Sequence, residues 1–159
     1  NNVLMGLHII DDPIPWLMDT FWAKVVIILA ITWRWTGYNM IFFLSSLQNI
    51  DEDIYQAAEI DGAGAWDKFW KITVPLLKPV ILLTAIMSTS GTLQLFDEVV
   101  NITNGGPNNS TMTISHYIYN LSFKYSPDFG YATAVSFVVF VLIAVLSLLQ
   151  MKVSGDKND

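Results

Sequence analysis

Long apolar stretches separated by short polar ones dominate the chain. Residues 131–151 provide 21 positions without a charged side chain and residues 79–96 provide 18, close to the ~20 residues that a membrane-spanning helix needs. A third apolar segment, at about residues 22–47, is long enough to cross with some tilt, although Arg34 interrupts it. We therefore predict three transmembrane helices, at about residues 22–47, 76–96 and 130–151.

The polar segment at about residues 49–74 predicts two short helices. Ile54, Ala57, Ala58 and Asp61 lie at i, i+3, i+4 and i+7, and acidic residues precede them where the helix dipole favours negative charge. The small residues after Asp61 would loosen or end this helix. A second helix then places Trp66, Phe69, Trp70 and Thr73 on one face, and Pro75 suits the first turn of the next span, where a missing N–H costs nothing.

Composition agrees with a bilayer protein. Hydrophobic residues make up 53% of the chain and charged residues 14%, and the charges are confined to short stretches. The formal net charge of −6 argues against a nucleic-acid surface. The absence of cysteine excludes disulfides and cysteine-ligated metals.

Lysines orient the predicted spans. Basic residues favour the cytoplasmic side, and they gather between the first two spans and after the third, whereas Lys124 stands alone between the second and third. We expect segment 49–74 and the C-terminus in the cytoplasm, and loop 97–128 outside; helices preceding this chain could set a different topology. The cytoplasmic lysines are Lys68, Lys71, Lys78, Lys152 and Lys157.

Two interpretations of segment 49–74 follow from its residues alone. One is an amphipathic connector lying on the lipid headgroups. The other is a protrusion that fits a partner, because its small residues allow close backbone approach and its carboxylates can pair with basic groups.

Several motifs resemble one family when taken in chain order. The pattern Ala57-Ala58, Asp61-Gly62-Ala63 and Ile72-x-Val74-Pro75 is similar to the EAA signature of permease subunits in bacterial ATP-binding-cassette importers. Further motifs resemble the sugar-importing branch of this family, which includes the maltose and glycerol-phosphate permeases. They are Trp33-Arg34-Trp35-Thr36-Gly37-Tyr38-Asn39, Leu47-Gln48-Asn49-Ile50, Phe96-Asp97 and Thr103-Asn104-Gly105-Gly106-Pro107.

The resemblance implies an all-α helix bundle of the type I importer kind in the bacterial cell membrane, with residues 1–159 as the C-terminal part of one permease domain. It implies an ATP-driven carbohydrate importer without a cofactor of its own. The implied partners are a cytoplasmic ATPase dimer, a second permease subunit and an extracytoplasmic sugar-binding protein. The alternative, from a different class, is a membrane anchor, sensor or membrane-embedded enzyme component without transport activity.

The same resemblance implies a coupling helix that docks on the ATPase. Gln56 stands where the family usually has glutamate, and an amide cannot make the charge-assisted pair of a carboxylate, so we expect coupling to rely more on Glu59 or Asp61. The implied coupling residues are Gln56, Ala57, Ala58, Glu59, Asp61, Gly62, Ala63 and Pro75.

A small and polar stripe marks the second span, at Ser88, Gly91, Thr92 and Leu95. Its spacing suits either helix packing or a cavity wall, and Ser88 and Thr92 resemble sugar-contacting positions of the maltose permease. Counting from the outer helix ends puts the first span's candidates, Trp35, Gly37 and Asn39, near the same depth. Helix or lipid packing is an equal alternative for Trp35.

Arg34 should face the bundle or water, because a mid-membrane arginine costs at least ~2.5 kcal/mol.

The sequence of the external loop predicts a turn at residues 104–107 and then an interfacial or re-entrant helix. We expect its lone His116 to be solvated or hydrogen-bonded rather than metal-bound. No phosphate-binding loop, nucleophile elbow or histidine pair is visible, so we predict no catalytic residue and no metal site.

Overall fold

The computed structural model of the chain describes residues 1–155, so Lys157 lies outside the described residues. Within that range the regular structure is helical, without a strand. By length and composition, three helices are able to cross a membrane: Thr20–Gln48, Ala65–Leu93 and Phe129–Val153. The predicted all-α membrane class is confirmed.

Short helices and two π-helical turns connect the long helices. The turns cover Phe69–Thr73, directly before α5, and Asn120–Lys124, directly after α7. In chain order the α-helices of residues 1–155 are α1 (Asn2–Gly6), α2 (Thr20–Gln48), α3 (Glu52–Ile60), α4 (Ala65–Lys68), α5 (Val74–Leu93), α6 (Asp97–Ile102), α7 (Ile114–Tyr119) and α8 (Phe129–Gly155).

The three long helices leave most of their apolar surface uncovered. Only 6%, 11% and 6% of their most apolar windows are buried, and apolar surface on that scale marks contact with lipid or with other helices. Their side chains therefore suit a hydrocarbon surrounding.

The second long helix begins earlier than its sequence predicts. α4, the π turn and α5 follow one another without a break from Ala65 to Leu93. Pro75 is the second residue of α5, but α5 continues the helix that precedes it. Pro75 therefore does not lie in the first turn of a new helix, where its missing N–H would cost nothing, and that prediction is wrong. The wider turn immediately before it relieves the clash that a proline ring makes with the carbonyl four residues back, here that of Lys71.

The described residues form two compact units. One comprises Asn1–Trp33 and Leu93–Val138, and its core is built from Ile27, Leu95 and Val99. The other comprises Arg34–Thr92 and the described residues from Val139 onward. The second unit contains segment 49–74.

His116 is buried in the first unit, with 1% of its surface exposed. Neither ring nitrogen has a hydrogen-bond partner among residues 1–155, so the predicted solvated or hydrogen-bonded role is wrong. The reason is local packing. Phe96 meets the ring edge-on at 6.2 Å between centroids. Gly105, with φ 83°, approaches so closely that a Cβ there would lie 3.0 Å from His116 Cε1.

This packing predicts that the loop at residues 97–128 is sensitive to acid. Burial, and secondarily the charge of Lys124, lowers the pKa of His116 below its ordinary 6.5. As the pH falls, His116 therefore takes up a proton more readily in the opened loop than in the closed one. The closed loop has its full stability above about pH 6.5 and loses stability as the pH falls below that value. Hydrogen exchange of residues 105–120 in the full-length protein, corrected for its intrinsic pH dependence, should be faster at about pH 5 than at about pH 7.5.

The variant His116→Phe keeps a ring at this position but cannot take up a proton. It should exchange at the same corrected rate at both pH values. An acid-dependent increase equal to that of the unsubstituted subunit would contradict the assignment to His116.

Candidate functional site

Segment 49–74 is built around a capped helix. Asp51 is the N-cap of α3 and its carboxylate accepts from the Asp53 amide at 3.0 Å, while Glu52 and Asp53 lie in the first turn. This satisfies a backbone donor that the helix start leaves free and places negative charge at the positive end of the dipole. The predicted start of the helix is confirmed.

Gly62 ends α3 in a Schellman motif. The Ala63 amide donates to the Ala58 carbonyl at 2.9 Å, and the Gly62 amide donates to the Glu59 carbonyl at 3.0 Å. Gly62 has φ 82°, whereas no atom lies within 4 Å of where its Cβ would be. The requirement for glycine is therefore the left-handed backbone and not space.

Two side-chain contacts join α3 to the helix that follows. Glu59 pairs with Lys68, and the Tyr55 hydroxyl lies 2.8 Å from Thr73 Oγ1. Hydrogen bonding from Lys68, and then its charge, holds the pKa of the Glu59 carboxyl below its usual range. Glu59 is thus engaged within the chain, which favours Asp61 of the two carboxylates expected to replace the glutamate missing at Gln56.

Thr73 departs from its predicted place. It is 9% exposed, whereas Trp66 is 76% exposed, so the two do not share a face. The π turn is the reason, because its wider winding rotates Thr73 away from the α-helical register.

A notch of about 350 Å³ opens where α3 meets α4. Four predicted coupling residues line it, whereas Gln56 and Ala57 are exposed outside it. On its rim Lys71 pairs with Asp67 at 2.6 Å. The lining residues are Ala58, Asp61, Gly62, Ala63, Asp67, Lys71 and Ile72.

Four of the predicted pathway residues come together between α2 and α5. Asn39 Nδ2 donates to Ser88 Oγ at 3.1 Å. The Trp35 indole lies against Gly91, where a Cβ would overlap its ring. The indole Nε1 is buried without a hydrogen-bond partner among residues 1–155. Small and polar side chains thus bring the two helices into close contact.

Counting residues from the helix ends gives unequal distances for these groups. Trp35 is far from the end of α2 at Thr20, whereas Ser88 is close to the end of α5 at Leu93. The predicted similarity of distance from the outer ends is therefore wrong. The bond from Asn39 to Ser88 nevertheless sets them at one level.

Three predicted pathway residues do not join this cluster. Gly37 is two residues from Trp35, which puts it on the opposite side of α2, and it is exposed with open space around it. Thr92 is exposed. Leu95 lies beyond the end of α5, in the apolar core with Ile27 and Val99. Placing Leu95 on the stripe is therefore wrong, because the helix stops at Leu93.

Arg34 is exposed, and its guanidinium carbon lies 5.5 Å from the centre of the Trp35 ring. A cation over an indole face is favourable. The charge is thus placed beside the candidate cluster.

Some residues at these sites escape the sequence prediction. Gln150 Nε2 donates to Thr89 Oγ1 at 2.9 Å, linking α8 to α5. A single amide in an otherwise apolar span is a signal that can be recognised from sequence. Tyr55, Lys68 and Thr73 have no comparable signal, because their contact depends on the π turn.

Comparison with known proteins places the chain in a class. Residues 3–154 match the family described as the binding-protein-dependent transport system inner membrane component. The chain belongs to this family of membrane components of transport systems.

Particular relatives are named sugar transport permeases. The chain is 60% identical to the lactose transport system permease protein LacF of Rhizobium radiobacter over 99% of its own length and 54% of the relative's. It is 35% identical to the arabinooligosaccharides permease AraP of Bacillus subtilis, covering 98% and 49%. For the trehalose/maltose permease MalF of Thermococcus litoralis the identity is also 35%, covering 93% and 50%. The chain spans about half the length of the curated relatives it matches.

A solved structure shares the fold. It is a bacterial ABC transporter involved in the import of the acidic polysaccharide alginate, with a TM-score of 0.86 and 24% identity, covering 100% of this chain and 55% of that one. At this identity the likeness supports the helical architecture alone.

Two glycines on the long helices test the packing between α2 and α5. We expect Gly91→Ala to lower the free energy of unfolding by about 1–3 kcal/mol, because the added methyl group displaces Trp35. Gly37→Ala meets no atom within 4 Å and should raise it by up to about 1 kcal/mol through helix propensity. Denaturant unfolding of the full-length subunit in detergent measures both, and equal effects would contradict the packing.

Proposed function

We propose that the chain is part of a permease subunit of an ATP-driven carbohydrate importer in the bacterial cell membrane. The observation that carries the proposal is the element formed by α3 and the Gly62 turn, which lies in the chain between the candidate spans Thr20–Gln48 and Ala65–Leu93 and carries EAA-like residues. The named relatives are transport permeases, which favours transport over the anchor or sensor alternative.

The proposed orientation follows the lysines. Lys68, Lys71 and Lys78 all lie in the first half of the helix Ala65–Leu93, which assigns this end to the cytoplasm under the positive-inside rule. Segment 49–74 is then cytoplasmic, and loop 97–128, which contains α6 and α7, lies outside.

A separate ATPase dimer docks on segment 49–74 and hydrolyses the ATP. The notch offers small residues and the Asp61 carboxylate, and a surface of this kind suits a close contact with a basic group at its edge. A second permease subunit completes the pathway, and an extracytoplasmic binding protein delivers the sugar. The last partner is supported by a related fold, solved with a periplasmic protein carrying an alginate pentasaccharide.

The proposed substrate is a di- or oligosaccharide, with lactose the first to test because of the 60% identical relative. Asn39 and Ser88 supply an amide and a hydroxyl on one helix interface. The buried Trp35 indole N–H has no acceptor within residues 1–155, and leaving such a donor unsatisfied costs about 1–3 kcal/mol. A sugar hydroxyl would supply the acceptor, and the indole face suits the C–H face of a sugar ring.

Reconstitution tests the function. The full-length subunit, purified with its candidate ATPase, second permease and binding protein, should hydrolyse ATP faster when lactose or a related oligosaccharide is added. Hydrolysis that no sugar in such a panel stimulates would contradict the proposal.

The Gly62 turn allows a matched pair of variants. Gly62→Val forces a β-branched side chain into the left-handed region, at a cost of about 1–2 kcal/mol, and should lower sugar uptake by about five- to thirtyfold. Gly64→Val has φ −73° and no atom within 4 Å of its Cβ, so uptake should be nearly unchanged. Capture of the binding protein on the external face should survive in both, and normal uptake by Gly62→Val would contradict the role of the turn.

The proposed pathway predicts a separate effect. Asn39→Leu removes the amide that faces Ser88 and should reduce lactose uptake about tenfold. This is the factor that corresponds to losing about 1.4 kcal/mol of neutral hydrogen bonding. The control Thr32→Val removes an exposed hydroxyl that bonds only to the Ile28 carbonyl of its own helix, and uptake should be retained. Equal uptake in both variants would contradict a pathway at Asn39.

A further inference from the structure

Tyr55, Glu59, Lys68 and Thr73 form one connected set, here called the joint. Thr73 Oγ1 donates to the Lys68 carbonyl at 3.3 Å and lies 2.8 Å from the Tyr55 hydroxyl. Because a threonine hydroxyl has a single proton, Tyr55 is the donor to Thr73. Lys68 in turn pairs with Glu59. The joint thus holds α3 at two positions one helical turn apart.

The π turn is what makes the joint possible. Lys68 and Thr73 are five residues apart, a spacing that in an α-helix turns side chains about 140° away from one another. The wider winding of residues Phe69–Thr73 brings them nearer to one side. A single π turn inside a longer helix is frequently found at a functional position.

The two contacts of the joint differ in weight. The side chain of Glu59 is 62% exposed, and exposed ion pairs contribute little to stability. Thr73 is 9% exposed, so removing its hydroxyl or that of Tyr55 leaves a poorly solvated group without its partner. The bond between Tyr55 and Thr73 is therefore the one to test.

We propose that the joint makes α3 move as one body with the helix Ala65–Leu93, so that closure of the ATPase is transmitted to the second span. This rests on the proposed function. Its four members are positioning residues, which act through the helices they connect and not through contact with sugar or nucleotide.

The test compares hydroxyl removal inside and outside the joint. Tyr55→Phe and Thr73→Val keep the shape of each side chain but remove the bond, whereas Thr73→Ser keeps the hydroxyl. Thr84→Val is the matched control. Thr84 lies on α5 and is buried like Thr73, with 4% exposed, and among residues 1–155 its hydroxyl donates only to its own helix, at the Val80 and Ile81 carbonyls.

The readout is the number of ATP molecules hydrolysed per sugar imported by the full-length assembly in vesicles. Tyr55→Phe and Thr73→Val should each raise this ratio by up to about fivefold, the factor for one net hydrogen bond of about 1 kcal/mol. The double variant should match Thr73→Val, because the bond between Tyr55 and Thr73 is already lost in that single variant. Thr73→Ser and Thr84→Val should match the unsubstituted assembly.

Unchanged ratios in Tyr55→Phe and Thr73→Val, or an equal rise in Thr84→Val, would overturn the joint. If the unsubstituted assembly itself lacks sugar-dependent hydrolysis, the proposed function fails first. The two failures are therefore distinguishable.

A second measurement does not depend on transport. Residues 1–159 contain no cysteine, so once any cysteine elsewhere in the full-length subunit has been replaced, spin labels can be attached at Gln56→Cys and Trp66→Cys, both exposed positions. The distribution of distances between the labels should be narrow with the intact joint and with Thr84→Val, and broader with Tyr55→Phe or Thr73→Val. Identical distributions would overturn the proposal.

Discussion

One unbroken helix from Ala65 to Leu93 is the constraint on which the second unit depends. A helix resists bending because most of its backbone amides are hydrogen-bonded to carbonyls one turn earlier, so a displacement at its polar start reaches its apolar part. Pro75 would ordinarily interrupt such a helix. The π turn at Phe69–Thr73 accommodates the proline and, by the same change of winding, turns Thr73 towards Tyr55.

The same helix carries two kinds of contact in its apolar half. Ser88 bonds to Asn39 of α2, and Thr89 bonds to Gln150 of α8. Polar groups in a hydrocarbon surrounding need partners, and small residues such as Gly91 let the helices approach closely enough to provide them. In a transporter, a residue that packs two helices together in one state can contact a sugar in another. Helix packing and a cavity wall, the two interpretations of the polar stripe on the second span, are therefore compatible.

The sequence predicts those features that depend on local chemistry. The acidic start of α3 and its end at Gly62 follow from side-chain charge and backbone preference, and the long apolar helices follow from hydropathy. Other features depend on contacts between distant residues. The continuation of the helix through Pro75, its end at Leu93 and the placement of Leu95 in a core are decided by packing, which periodicity does not encode. Burial of His116 likewise depends on the turn at Gly105, which brings backbone against its ring.

The most direct test of the account is a photo-cross-linking measurement on the assembled full-length complex. The variant Gln56→Cys, labelled with a benzophenone reagent, places a probe on α3; residues 1–159 contain no other cysteine, and any cysteine elsewhere in the full-length subunit is replaced first. The variant Asn101→Cys places the same probe on an exposed position of α6. The account predicts a cross-link from Gln56→Cys to the ATPase subunit and none from Asn101→Cys. A cross-link to the ATPase from Asn101→Cys alone would contradict it.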